Sequence, residues 1–391
     1  MSRSWRGRDI MTGDAVEVVA EQGVITSIRP IKVDQQQLPW LSPGWFDLQV
    51  NGFGSYDLNK QEMTEEDIAG TTKALYKEGT ALYLPTVITG AMDRMKQGLA
   101  TIAAYRNCSE VNRAAIPGIH LEGPFISSED GSRGAHPREH TCDPDWEKFE
   151  QLQAAADGLI RMVTLAPERE GAIPFIEKLV ADNVIVAIGH TKATGEQITA
   201  AVEAGATVST HLGNGSEPML PRHPNYIWQQ LAEDRLWATF VPDGHHLSPE
   251  VLKVMLRAKG KRSIFVSDTT QFGGMKPGVY RSLIGGEVRL TEAGRLHTLS
   301  NSNILAGSAM SFIDGFETVL HKTDMDMVEL IEAMTSRPAQ VMQMDDRIGK
   351  LQVGLQANLT IFQYEQTIDA RPTIVETVVH GESVYKAENG V

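Results

Sequence analysis

Residues 115–125 read AIPGIHLEGPF. The apolar approach from Ile116 to Ile119 looks like a buried strand, yet it ends by delivering His120 and Glu122, groups that resist burial without compensation. Gly123-Pro124 then turn the chain at once. The same form recurs along the sequence. In chain order the runs are GWFDLQVNG (44–52), ALYLPTV (81–87), IPGIHLEGP (116–124), IRMVTLAPE (160–168), VIVAIGHT (184–191), TVSTHLGN (207–214), WATFVPDGHH (237–246) and SIFVSDTT (263–270). Each closes in polar or turn residues, and a spacing of roughly 30 residues matches strands alternating with helices.

The segments between them carry helix signals. Thr64 is an N-cap with Asp67 three residues on, followed by Ile68, Thr71, Thr72 and Leu75 at helical spacing. Ser248 caps a helix with Pro249 at its first position and Gly260 past its end. GEQITAAVEAG sets Ile198, Ala201 and Val202 on one face and stops at Gly205. Eight βα units in succession predict an α/β fold, a (β/α)8 TIM-like barrel over residues 44–348, with its chemistry at the C-terminal ends of the strands. Residues 1–43 and 349–391 instead carry short β-branched strands with glycine turns. The two ends are expected to pair into a small discontinuous β-sandwich domain.

Composition narrows the class. Hydrophobic content of 41% and charged content of 22% are those of a soluble globular chain. A net charge of −14 without a basic run argues against nucleic acid as a partner. Cys108 and Cys142 form no CxxC pair, so neither a disulfide scaffold nor a thiolate zinc site is expected. The basic N-terminus is followed by no apolar h-region, and no stretch reaches membrane-span length. A cytoplasmic protein with no membrane partner is expected.

The ionisable residues fall where a barrel would use them. Glu122, His190 and His211 end the third, fifth and sixth runs, and two imidazoles with one carboxylate make a three-ligand catalytic zinc set with a position left for water. Asp268 ends the eighth run and is placed to exchange a proton with that water. Taken singly, each has a plainer reading: His190 as a hydrogen-bonded structural group, Glu122 as an ion-pair partner, Asp268 as a turn residue or N-cap. His120 reads better as a satisfied core group than as a ligand. Alternation puts only one of His245 and His246 inward. Five such groups at five strand ends are what favours chemistry.

HLEGPF, AIGHT, THLGN, DGHH, VSDTT and LAGSAM, in this order, resemble the N-acetylglucosamine-6-phosphate deacetylases of the amidohydrolase superfamily. The likeness spans essentially the whole chain, including LSPGWFDLQVNGFG and the tail TSRPAQVM with IGKLQVGLQANLTIF. The resemblance implies metal ligation by Glu122, His190 and His211 and acid/base catalysis by Asp268. It places substrate contacts at Ala135 and His136 of GAHP, at Asn214 and Gly215, at His246 of DGHH, and at Leu305, Ala306 and Gly307. Arg222 of PRHP falls where the family keeps an arginine for the 6-phosphate, supplied by a neighbouring subunit, which implies a homodimer. The implied reaction is hydrolysis of N-acetyl-D-glucosamine 6-phosphate to D-glucosamine 6-phosphate and acetate, with metal-bound water as nucleophile.

Two departures qualify that picture. Where many superfamily members have HxH after the first strand, this chain has Gln49 and Asn51, and the fourth run offers no lysine for a bridging carbamate. One divalent ion per subunit is therefore expected, with zinc favoured and Fe2+, Co2+ or Mn2+ suited to the same donors. HLGNGSEPM puts Gly213 and Ser216 where familiar members carry an aromatic residue and then Asn-Ala-Met. Another N-acetylhexosamine phosphate or N-acyl amine thus stays open as substrate, and a sugar-phosphate sensor without turnover is the rival from another class.

Overall fold

The computed structural model describes residues 2–34, 38–282, 286–365 and 371–388; the rest of the expected units, including the outer limits at 1 and 391, lies outside the described residues. Eight parallel strands lie side by side in chain order: β1 (Trp45–Val50), β2 (Thr80–Ile88), β3 (Ile119–Glu122), β4 (Ile160–Leu165), β5 (Ile185–Ile188), β6 (Val208–Ser209), β7 (Trp237–Phe240) and β8 (Ser263–Phe265). Every residue of β1, β2 and β3 is buried. Helices cover the outer face and side chains fill the inner one, which is why these strands read as nearly continuous apolar runs. The two edge strands are joined just beyond β8. Asp268 N–H donates to the Gln49 carbonyl at 3.1 Å, and Asn51 N–H donates to the Thr269 carbonyl at 2.8 Å.

Each expected helix is present. In Glu65–Lys77 the Thr64 N–H donates to Asp67 Oδ2 at 2.8 Å. Pro249–Lys259 is capped by Ser248, whose Oγ accepts from Val251 N–H, and ends at Gly260. Gly195–Glu203 buries Ile198, Ala201 and Val202. A cap of this kind contributes about 1 kcal/mol, enough to fix where a helix begins and hence the length of the βα loop before it.

Both chain ends enter one seven-stranded sheet, ordered Glu382–Lys386, Thr373–Val379, Leu359–Gln363, Trp40–Pro43, Ser2–Asp9, Ala15–Glu21 and Val24–Pro30. Its pairs are antiparallel except Ser2–Asp9 with Trp40–Pro43. Val18, Ile25, Leu41, Leu359 and Val378 form its own apolar layer. Trp45, at the start of β1 and fully buried, fastens the sheet to the barrel with ring centroids 5.3 Å from Phe316 and 5.5 Å from Phe362. Such ring pairs add about 0.5–1.5 kcal/mol each beyond area burial.

One element falls outside the rhythm read from the sequence. After β8 the chain inserts three antiparallel strands, Gly278–Ser282, Gly286–Leu290 and Leu296–Thr298. Val288, Leu290 and Leu296 pack on Phe272, Ala306 and Ala309, while Glu287 and Arg289 face solvent. This one-sided burial gives alternation instead of an apolar run. The insertion stands over the C-terminal mouth of the barrel.

Candidate active site

Glu122 is the last residue of β3, and its Oε1 is the hub of the mouth. His190 Nε2 lies 3.1 Å from it and His211 Nε2 2.9 Å. The two histidines follow β5 and β6 directly. Both adopt positive φ, +49° and +28°, as does Asp268 after β8 at +48°. Non-glycine residues in that region cost on the order of 1–3 kcal/mol each, and such strain gathers where a site must hold groups in place. Gly215 leaves room for this arrangement. A Cβ there would lie 2.7 Å from His190 Nδ1.

The hydrogen bonds around His190 decide what the hub holds. Its Nδ1–H donates to the Ser132 carbonyl at 2.9 Å, so in the neutral ring Nε2 carries a bare lone pair. That lone pair faces a carboxylate oxygen 3.1 Å away. Two acceptors at this distance repel unless a proton or a metal cation lies between them. Two imidazole nitrogens and one carboxylate oxygen, all buried, match the donor set of a zinc-type site, and an orienting backbone carbonyl behind the ligand nitrogen is the usual companion of such a histidine. Residues and ion therefore fit. His136 stands close by, with its ring centroid 4.4 Å from that of His190. Donor atoms of Glu122, His136 and His190 all lie within 4.8 Å of one another.

Charge is distributed unevenly across the mouth. Burial works to raise the Glu122 carboxyl, but the adjoining His190 and His211 imidazoles outweigh it and hold it well below its ordinary range. Asp268 goes the other way: burial, helped by the Glu122 charge, raises it to about 6. Burial depresses His136 to about 3, reinforced by the neighbouring His190, and keeps it neutral. Burial likewise depresses His246, but Asp243 overrides it and leaves that ring above its ordinary value. Asp243 fixes His246 through an Oδ2 to Nδ1 contact of 2.7 Å.

His120 is satisfied inside the barrel, contacting the Leu48 carbonyl at 3.1 Å and Thr164 Oγ1 at 2.7 Å. Gln49 and Asn51 prove to be donors. Gln49 Nε2 bridges Glu122 Oε1 and Asp268 Oδ1, at 3.1 Å to each, and Asn51 Nδ2 donates to Asp268 Oδ1 at 2.8 Å. Sequence reasoning excluded these amides as ligands and missed this use, which would follow from their place opposite a strand-8 aspartate. It also missed Asp243, whose signal was an acid three residues before a histidine at a strand end.

A cavity of about 850 Å3 opens over the hub. Glu122, His190, His211 and Asp268 line its floor, together with His136 and His246. Ala135, Asn214, Gly215, Leu305, Ala306 and Gly307 also line it. Arg222 does not: it is exposed, outside the cavity of its own chain. Gly213 has φ +98°, a backbone that side chains rarely adopt, and a Cβ there would press on Leu247 Cδ2 at 2.9 Å.

A ring of parallel strands with buried carboxyl and imidazole groups gathered at its C-terminal mouth is the arrangement of α/β-barrel enzymes. The comparisons sharpen this. The sequence profile described as "Amidohydrolase family" matches residues 40–384. The chain is 33% identical over 324 residues to the N-acetylglucosamine-6-phosphate deacetylase of Bacillus subtilis, covering 82% of this chain and 80% of that protein. It is 30% identical over 366 residues to the N-acetylgalactosamine-6-phosphate deacetylase of Escherichia coli O157:H7, covering 92% and 94%. In fold it is similar to the crystal structure of N-acetylglucosamine-6-phosphate deacetylase from Pasteurella multocida, with a TM-score of 0.85 at 23% identity over 98% of this chain and 99% of that one. The chain belongs to the amidohydrolase family, in its N-acetylglucosamine-6-phosphate deacetylase branch.

Proposed function

We propose that this enzyme hydrolyses the acetamide of N-acetyl-D-glucosamine 6-phosphate, releasing acetate and D-glucosamine 6-phosphate. The observation that carries the reading is the Glu122 hub, with two imidazoles on one carboxylate oxygen and a raised carboxyl, Asp268, facing them. Glu122, His190 and His211 would hold one divalent ion, zinc by donor chemistry, with Fe2+, Co2+ or Mn2+ suited to the same set. Bound there, the ion supplies Lewis acidity that polarises the amide carbonyl and acidifies water.

The chain's own groups do the rest. Gln49 and Asn51 both occupy Asp268 Oδ1, which leaves Oδ2 to take a proton from the attacking water and return it to the departing amine. His246, held by Asp243 and biased toward its charged form, donates to the developing oxyanion. His136, neutral and anchored on Thr89 Oγ1 at 3.0 Å, contacts the sugar beside Asn214 and Gly215.

A second substrate has a specific observation behind it. The E. coli relative named for N-acetylgalactosamine 6-phosphate matches over 92% of this chain, and the side-chain-free Gly213 reshapes the loop nearest the sugar. We further propose a homodimer in which Arg222 reaches the cavity of a second copy. Met219, 87% exposed, and Trp228, 54% exposed, flank Arg222 and support an interface there. Two free cysteines accord with a cytoplasmic setting, and among the described residues no helix is long and apolar enough to cross a membrane. The strands of the end sheet support a domain division at 43 and 349. The test is an acetate-release assay over N-acetylhexosamine 6-phosphates and their unphosphorylated sugars, with elemental analysis of the same protein. Absence of acetate from every sugar, with a divalent ion present, refutes the reading.

A further inference from the structure

The insertion after β8 brings one residue to the cavity that no strand-end motif announced. Arg295 is the only arginine or lysine among the described residues lining it. Its position is fixed by a tight turn. Thr291 N–H donates to the Arg295 carbonyl at 3.0 Å, and Arg295 N–H donates to Thr291 Oγ1 at 3.0 Å. Gly294 takes φ +81° in that turn, and a Cβ on it would meet Met310 Sδ at 2.6 Å, so the turn sits hard against the chain behind it. Leu296, the next residue, is buried in the insertion's small core. From the other side His245 Nε2 contacts the Ala293 carbonyl at 2.8 Å, tying the loop after β7 to the same turn.

Arg295 is half-buried as a residue, and its guanidinium makes no hydrogen bond or ion pair with a described residue. Two acids that line the same cavity are already engaged. Asp130 is paired with Arg133, and Glu217 with Lys192 at 3.5 Å and the Tyr226 hydroxyl at 2.5 Å. A held, unpartnered guanidinium at the wall of a cavity is a receptor for an anion. A guanidinium suits a phosphate in particular, because its planar fork donates two parallel hydrogen bonds. Asn301 and Asn303, on the loop that follows, line the same cavity.

We propose that Arg295 binds the phosphate of the substrate from within the subunit, making it a specificity-determining residue distinct from Arg222. The inference rests on the deacetylase reading for the identity of the phosphate ester. The experiment compares Arg295→Ala, Arg295→Lys and Arg289→Ala in the metal-loaded, full-length enzyme. Arg289 lies on the same insertion but is exposed and outside the cavity. Acetate release is measured on N-acetylglucosamine 6-phosphate and on N-acetylglucosamine, and inorganic phosphate binding is titrated by calorimetry. Loss of a charged, two-pronged contact should raise KM for the phosphate ester about 10- to 100-fold with little change in kcat, and leave the unphosphorylated sugar unaffected. Arg295→Lys should recover part of the loss, and Arg289→Ala should match wild type. An unchanged KM for the ester in Arg295→Ala, or an equal loss on both sugars, overturns the proposal. Should wild type release no acetate from either sugar, the deacetylase reading fails; phosphate binding that disappears in Arg295→Ala still upholds the anion site, and binding that is unchanged or absent in wild type refutes it.

Discussion

Replacing Gln49 by leucine would test how the two carboxyls at the mouth are kept apart in charge. Leucine nearly conserves the volume of the buried side chain, so packing changes little. What is lost is one NH2 that donates at 3.1 Å to both Glu122 and Asp268. A hydrogen bond to a charged group contributes about 1.5–3 kcal/mol. Glu122 stays ionised, because His190 and His211 still hold it low. Asp268 keeps only the Asn51 contact at 2.8 Å, and its anion is disfavoured. At about 1.36 kcal/mol per pKa unit, the loss moves Asp268 up by about one to two units. Asp268 already lies above its ordinary carboxylate value, and its midpoint should climb further by that amount. Because the ionised form is the base, the acid limb of kcat against pH should shift alkaline by that amount. Activity should fall severalfold near neutrality and recover by about pH 9. The assay is acetate release across that range, with elemental analysis alongside. An unmoved limb with uniformly lower kcat would show that Gln49 does not tune Asp268. Loss of the ion would show that it is a ligand after all.

Asp268→Asn should retain the ion and bind substrate while kcat drops by about 10²–10⁴-fold; near-normal turnover would remove Asp268 from the proton path. Chelation, or His190→Ala, should abolish acetate release together with metal content, and zinc should restore only the chelated wild type. Asp47, buried beside Asp268, is raised by burial to about 7, so the folded state holds a proton that the unfolded chain sheds near its ordinary value. Its stabilising contribution is complete in acid and is lost as pH climbs through about 7. Asp47→Asn should therefore flatten the fall of Tm between about pH 4 and about pH 7; a fall as steep as in wild type would contradict the assignment.

Much of the barrel was legible because parallel strands covered on both faces leave no alternation to misread. All eight runs coincide with a strand, seven of them with one shorter than the run and the second with a longer one, Thr80–Ile88. The run 237–246 stops being strand at Phe240, and the rest of it is the loop that carries Asp243 and His246. Glu122, His190, His211 and Asp268 could be picked out because each is an ionisable group ending an apolar run, where burial demands a reason. The insertion was not legible, since its alternating strands fit no βα rhythm and Arg295 sits in a turn of ordinary composition. Arg222 shows a different limit: eight residues after Asn214, it lies outside the cavity that Asn214 lines.

The junction between β1 and β8 has a consequence for how the enzyme comes into being. Glu122, His190 and His211 are all synthesised before Asp268, and the amides that serve Asp268 wait more than two hundred residues for it. A nascent chain thus carries the three residues of the Glu122 hub well before the aspartate that faces them. The mouth is therefore complete only when the final stave docks against the first, through the Asp268 to Gln49 and Asn51 to Thr269 backbone hydrogen bonds.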